Sequence, residues 1–345
     1  MKLVIATPLY PPEIGGPATY AKLLFEGLPK MDKSDLSKKI EVELVKFSEV
    51  RHLPKLIRHY VYYRRVLKAA RGADVVLALD PVSVGLPAMR AARRAGKPFV
   101  VKVVGDYAWE QGQQRFGITE NLDEFVRNAR VPFPVRVLRR IQTRVAAAAT
   151  RVIVPSEYLQ DIVSAWGIPR EKIQVINNAI NIPVRLPAFG KEPGTFLIVS
   201  AGRDVPWKHF DALKRVGENN PKHPNWRVHI ASGVPREEAL GWMKAADVFV
   251  LNSSYEGFPH ALIEAMTLGT PVVATDAKFH RNLLGDGQAG LLVPIGDDRA
   301  LEQALETLAQ DTGAARVRAD VAQEGMKRFE LSSMLDATAR LLKSL

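Results

Sequence analysis

Two carboxylates, Glu256 and Glu264, stand eight residues apart on either side of a Gly257-Phe258-Pro259 turn. The apolar pattern after that turn predicts a helix from about His260, leaving Glu256 in a loop and Glu264 roughly one turn inside the helix. Unpaired N–H groups at such a helix start favour an anion or a ring of hydroxyls. The plainer alternative is an acid drawn to the helix dipole and a solvated helix residue. A second charged segment, Gly202-Arg203-Asp204-Val205-Pro206-Trp207-Lys208, follows an apolar run. Arg203 offers a planar fork suited to a pyrophosphate and Lys208 a mobile point charge, unless both are ordinary surface cations. In a third segment, Tyr10 to Pro17, Gly15 and Gly16 let a phosphate or sugar approach the backbone closely, and Pro17 suits the first position of a helix. A plain strand-to-helix turn is the competing reading. The fourth segment is Gly105-Asp106-Tyr107-Ala108-Trp109-Glu110.

What must position these segments is an alternation of Val, Ile, Leu and Ala strands with helical stretches, the mark of parallel sheets covered on both faces. Strands are expected near 2–6, 40–47, 74–79, 98–104, 151–154 and 173–176, then near 195–200, 226–231, 247–251, 271–274 and 290–293. The chain should end in helices near 297–309, 311–328 and 331–344. Periodicity stops between Ile180 and Gly194, where Pro183, Pro187, Gly190 and Pro193 cluster, so this stretch reads as an interdomain linker. The expected fold is α/β, with two Rossmann-like domains, 1–180 and 181–330, facing across a cleft and a C-terminal helix in 331–345 returning toward the first. Open α/β sheets bind ligands beyond the carboxyl ends of their strands, and all four segments lie there.

Several matches fail on context. Gly285-Asp286-Gly287-Gln288-Ala289-Gly290 spells G-x-G-x-x-G but precedes a strand, so it is a turn. No Walker A or G-x-S-x-G sequence occurs. The seven histidines show no ligand spacing, so no metal site is expected. Without cysteine there is no disulfide framework, which agrees with a reducing cytoplasm. The opening Met1 to Pro8 is too brief for the apolar core of a signal peptide, and no apolar run approaches the ~20 residues of a membrane span.

The net charge of +11 is uneven. Residues 1–180 hold 29 Lys and Arg against 17 Asp and Glu, while 181–345 hold 19 against 20. Residues 51–71 carry seven bases and no acid. Read as a helix from Lys55, this segment aligns Leu56, Tyr60, Tyr63, Leu67 and Ala70 in an apolar stripe, with Lys55, Arg58, Arg65 and Lys68 turned away. Arg136, Arg139, Arg140 and Arg144 form a second basic cluster, in 136–144. These faces are either merely solvated or fitted to peripheral contact with anionic lipid headgroups.

Together the segments resemble the retaining GT-B glycosyltransferases of the large mannosyl- and glucosyltransferase and sucrose synthase family, family 4. The resemblance covers nearly the whole chain. It is carried by Ala246-Asp247-Val248-Phe249-Val250, Glu256-Gly257-Phe258-Pro259, Glu264-Ala265-Met266 and Gly269-Thr270-Pro271, by Gly202-Arg203 with Trp207-Lys208, and by Val154-Pro155-Ser156 and Ile176-Asn177-Asn178. It implies a donor-binding second domain and an acceptor-binding first domain. Arg203 and Lys208 would clamp the diphosphate after Gly202. Glu264 would take the ribose hydroxyls, and Glu256 with the backbone through Gly257, Phe258, Pro259, His260, Ala261 and Leu262 would hold the sugar. Gly15 and Gly16 would close over the phosphates. Attack would come from the front face, with the donor phosphate accepting the proton. No cofactor or metal is implied; the substrate is a UDP- or GDP-linked sugar.

Three positions depart from the family pattern. Asp106 stands in the loop where a histidine is common, and is read as its replacement. About one βα unit is absent near 233–234, where the base is commonly held. Asn178-Ala179 replaces Asn-Gly. The resulting expectation is a cytoplasmic retaining glycosyltransferase, either free or peripheral at the inner face of the membrane, acting on a glycan, lipid-linked or small-molecule acceptor. A catalytically inert nucleotide-sugar-binding regulator is the alternative. Nucleic-acid binding is weaker, because aromatic residues do not interleave with the basic ones beyond Tyr60 to Tyr63.

Overall fold

Runs of Val, Ile, Leu and Ala bury the middle strands of two separate parallel sheets. The computed structural model describes residues 1–13, 15–31, 39–128, 130–218 and 220–345, apart from the side chain of Leu56. Two compact units result, one of residues 1–179 with 331–345 and the other of residues 180–330.

The first unit holds β1 (Lys2–Thr7), β2 (Glu41–Lys46), β3 (Val75–Ala78), β4 (Phe99–Lys102), β5 (Arg151–Val154) and β6 (Ile173–Val175) in the order β2-β1-β3-β4-β5-β6. The second holds β7 (Phe196–Ala201), β8 (Trp226–Ala231), β9 (Val248–Leu251), β10 (Val272–Thr275) and β11 (Leu291–Val293) in the order β11-β10-β9-β7-β8. Every pairing is parallel. Central strands such as β3, β4, β7, β9 and β10 are buried along their whole length, whereas the edge strands β2 and β8 are half exposed. That contrast is what helices on both faces impose. Against the common doubly wound order 3-2-1-4-5-6, the second sheet lacks the strand that would lie beyond β8. The βα unit missing from the sequence is therefore missing from the edge of this sheet.

The segment 180–194 carries neither helix nor strand. Phe189 stacks on Trp242 at 4.1 Å, and His229 of β8 stacks on the same indole at 3.9 Å. In the first unit the C-terminal helix Leu331–Lys343 buries Met334, Leu335 and Leu342 with Leu24 and Leu28. None of the helices among the described residues is long and apolar enough to cross a membrane.

The helix Lys55–Ala70 forms as expected, but its buried stripe is rotated. Tyr62 and Val66 are fully buried, joined by Leu67, Ala69 and Ala70, while Tyr60 is 59% exposed. Leu56 lies outside the described side chains. The deciding contact is tertiary: the Tyr62 hydroxyl donates to the Val45 carbonyl of β2 at 2.9 Å, and its ring meets Phe47 edge-on. Of the second basic cluster, Arg139 donates to the carbonyls of Asn128 and Val126 at 2.6 and 3.0 Å, so it finishes a neighbouring helix.

Replacing Tyr62 by Phe keeps the ring contact and removes only the hydroxyl. Tyr62→Phe should cost about 1 kcal/mol, read as a melting temperature lower by roughly 2–4 °C for a unit of this size. An unchanged melting curve would show that the hydroxyl does not set the helix rotation.

Candidate functional site

From β7 the chain passes to β8 on one side and then crosses back to β9 on the other, so the carboxyl ends of β7 and β9 flank the switch point of the second sheet. Two of the four segments meet there. Lys208 follows β7 and Glu256 follows β9, and the Lys208 Nζ donates to Glu256 Oε1 at 2.6 Å. Their side chains are only 11% and 14% exposed. Gly202 makes this possible: a Cβ at that position would lie 3.0 Å from Cε and Nζ of Lys208, and φ of +141° is itself a glycine conformation. Ser254 N–H donates to the Trp207 carbonyl at 2.9 Å, stitching the two loops together. Arg203 is exposed in the same loop.

The helix His260–Thr267 begins where the sequence places it, and Phe258, Pro259 and Leu262 are buried while His260 and Ala261 are half-buried. Glu264 is 8% exposed. It does not stand alone: Arg236 Nε donates to Glu264 Oε1 at 2.8 Å, and Arg236 Nη2 reaches the Asn181 carbonyl at 3.0 Å. Burial raises the Glu264 pKa, and the guanidinium pulls it back down.

The helix Lys278–Leu284, which follows β10, adds His280, which the sequence reading missed. His280 is fully buried, and its Nδ1 lies 2.9 Å from the Thr275 carbonyl, which assigns the proton to Nδ1. Burial lowers its pKa, against the pull of nearby Glu256. The Thr275 hydroxyl donates to the Ser253 carbonyl. Ser253 Oγ and His280 Nε2 are buried without a hydrogen-bond partner among the described residues. Both Arg236 and His280 obey the rule that chemistry sits after strands, so the ends of β8 and β10 could have been searched as well.

In the first unit, Gly15 precedes the helix Gly16–Gly27 with φ +151° and ψ 158°, a conformation essentially confined to glycine. Glu13 ties the loop down, accepting from Tyr10 N–H at 3.2 Å and from Arg51 Nη1 at 3.0 Å. Asp106, read above as the replacement for the family histidine, caps the helix Tyr107–Arg115. It is 1% exposed, accepts from Trp109 N–H at 2.9 Å through Oδ1 and from Trp166 Nε1 at 3.0 Å through Oδ2. Burial raises its pKa.

One trio of potential metal ligands, His223, Glu302 and Glu306, lies within 4.8 Å, across a sequence distance no local spacing reveals. His223 precedes β8, so the trio sits at the opposite, amino end of the sheet. Its groups pair with each other and with Lys222 and Asn220, as an ion-pair network does.

The profile "Glycosyl transferases group 1" matches residues 228–328, and "Glycosyl transferase 4-like domain" matches residues 33–179. A lipopolysaccharide core biosynthesis glycosyltransferase, LpsE of Rhizobium meliloti, is 31% identical over 78% of this chain and 82% of its own. A GDP-mannose-dependent α-mannosyltransferase of Mycobacterium tuberculosis is 25% identical over 68% of this chain, which spans 64% of that relative, less than two thirds of its length. Among solved structures, Anabaena HepE in complex with UDP and glucose aligns over all of both chains with a TM-score of 0.73 at 18% identity. Sucrose-phosphate synthase from Thermosynechococcus elongatus aligns over 99% of this chain and 98% of its own with a TM-score of 0.72 at 16% identity. These structural likenesses show the fold.

Breaking the Arg236–Glu264 pair should make stability depend on pH. A carboxylate whose folded pKa is raised holds its proton more tightly when folded, so the stability it lends at low pH is lost as pH rises through that pKa. Without the guanidinium the pKa rises further. The melting temperature of Arg236→Gln should fall progressively below the parent as pH goes from about 4 to about 7, reaching a deficit of about 2–3 kcal/mol. A deficit constant across that range would mean the pair does not govern Glu264.

Proposed function

Because the chain belongs to the GT-B glycosyltransferases of family 4, we propose that it transfers a hexose from a UDP- or GDP-linked donor, with retention and without a metal. The observation that carries this reading is the desolvated Lys208–Glu256 pair at the switch point of the second sheet. An ammonium and a carboxylate held within 2.6 Å of each other suit a ligand whose phosphate and sugar hydroxyls adjoin. Lys208 and Arg203 would meet charge growing on the leaving diphosphate, which is the work a divalent cation does elsewhere. Glu256 would accept from the sugar, and Glu264, steadied by Arg236, from the ribose. The second unit would then hold the donor and the first the acceptor, and the glycine-only backbone at Gly15 gives the first unit its own seat for a phosphate. As the family resemblance implies, attack would come from the front face, with the donor phosphate taking the proton.

Two relatives name the donors to try, GDP-mannose in the mycobacterial transferase and UDP with glucose in the HepE complex. The catalytically inert sugar-nucleotide binder remains a second reading because the sheet lacks the unit beyond β8.

Thermal stabilisation by UDP, GDP and their sugars should identify the base, since a ligand bound only to the folded state raises the melting point. Donor turnover, measured as nucleotide release with water and with a panel of acceptors, should fall by about 10²–10³ in Lys208→Ala, Glu256→Gln and Arg203→Ala. Full turnover in all three variants would sink the transferase assignment. Binding without turnover in the parent protein would favour the inert reading.

A further inference from the structure

A cavity of about 1030 Å³ opens within the first unit, lined by none of the residues assigned above to the donor. That volume is in the range of pockets that enclose a small molecule. Among the described residues, four guanidinium groups line it, Arg58 from the helix Lys55–Ala70 and Arg90, Arg93 and Arg94 from the helix Gly85–Ala95, and no carboxylate does. Arg90 with Arg93 and Arg94 falls at i, i+3 and i+4, so these three share a face. Arg58 packs over the Phe47 ring at 5.8 Å, and its Nε is buried without a hydrogen-bond partner. Asp80, at the turn behind Val82 and Ser83, already accepts both of their N–H groups. The rest of the wall is rings and aliphatic surface: Tyr60, Tyr63 and Tyr107 beside Leu86 and Ile141. Tyr60 and Tyr63 lie 6.3 Å apart, and Tyr60 is 59% exposed, a face open for stacking.

We propose that this pocket binds a phosphate-bearing sugar, with the phosphate on the arginine forks and the sugar face on the tyrosine rings. Arginine forks match phosphate oxygens in bidentate fashion, and aromatic faces suit the C–H side of a sugar. That the bound sugar is the acceptor rests on the transferase reading; the phosphate chemistry does not. The phosphate has two sources, a soluble sugar phosphate or the headgroup of a lipid.

The test titrates the full chain with glucose 6-phosphate and with glucose, and in a second arm sediments it with phosphatidylglycerol/phosphatidylcholine or pure phosphatidylcholine vesicles. In at least one arm the phosphate-bearing probe should bind about tenfold or more tightly than its neutral counterpart. The triple variant Arg90→Gln/Arg93→Gln/Arg94→Gln and the single Arg58→Gln should each lose about tenfold or more of that binding. Their melting temperature and their stabilisation by UDP or GDP should match the parent. Equal binding of the neutral probes, undiminished binding by the variants, or no binding of either phosphate probe would overturn the proposal. Loss of nucleotide stabilisation in the parent with phosphate binding intact would remove the transferase reading and leave the pocket standing.

Discussion

Lys208 occupies space that any side chain at Gly202 would fill, and the site of the second unit depends on that vacancy. Its ammonium lies 3.0 Å from where a Cβ would be. Taking an ammonium and a carboxylate out of water costs several kcal/mol each, recovered only when the two are close and well aligned. At 2.6 Å, with both side chains at least 86% buried, Lys208 and Glu256 meet that condition. The alignment is inherited from the sheet. β7 and β9 pair directly, Ile198 opposite Val248 and Val199 opposite Phe249, so the loops that follow them emerge side by side. The buried ring of Trp207 and the Ser254 contact to its carbonyl then fix the turn that delivers Lys208.

The same sheet logic explains why so much could be read from residues alone. A strand buried on both faces must be apolar throughout, and runs such as Phe196 to Ala201 or Val248 to Leu251 admit few other roles. Once strands are placed, the rule that ligands gather at their carboxyl ends singles out Arg203, Lys208, Glu256 and Glu264 without any knowledge of contacts. Side-chain partners are another matter. Arg236 and Glu264 are 28 residues apart, and Thr275 and His280 act on Glu256 only through the packing of β10 beside β9. Nothing in local spacing announces either.

At two places in the first unit local pattern competes with tertiary contact. The stripe from Tyr60 to Ala70 has good helical spacing, but Tyr62 and Val66 fill the space under β2 better and carry a hydroxyl to the Val45 carbonyl. Asp106 sits at a strand's end, where chemistry is expected, yet a helix starts directly after it and its free N–H groups claim the carboxylate. Lys102 shows the limit more sharply. It is 1% exposed at the end of β4, its ammonium 3.6 Å from the centroid of the Tyr20 ring, and burial alone drives its pKa well below the usual lysine range. A lysine closing an apolar strand reads as an exposed end, and only the helix laid over it makes it a buried one.

A doubly wound sheet that stops at β8 must still cover the face a further unit would have covered, and the linker does so. Gly241 has no side chain, and a Cβ there would lie 2.5 Å from the Pro187 carbonyl and 2.8 Å from the Phe189 ring, so the linker lies directly on the helix Arg236–Ala245. Phe189 and His229 both stack on Trp242, supplying with rings the apolar contact of an absent strand. The shortening also moves a charge. With only Ser232 to Pro235 between β8 and the next helix, Arg236 becomes the first residue of that helix at the carboxyl end of the sheet. There it grips Glu264 through Nε and Nη2, and Nη2 also reaches the Asn181 carbonyl of the linker. The edge of the domain and the buried acid of its site are thus held by one guanidinium, a coupling created by the missing unit and absent from any single motif in the sequence.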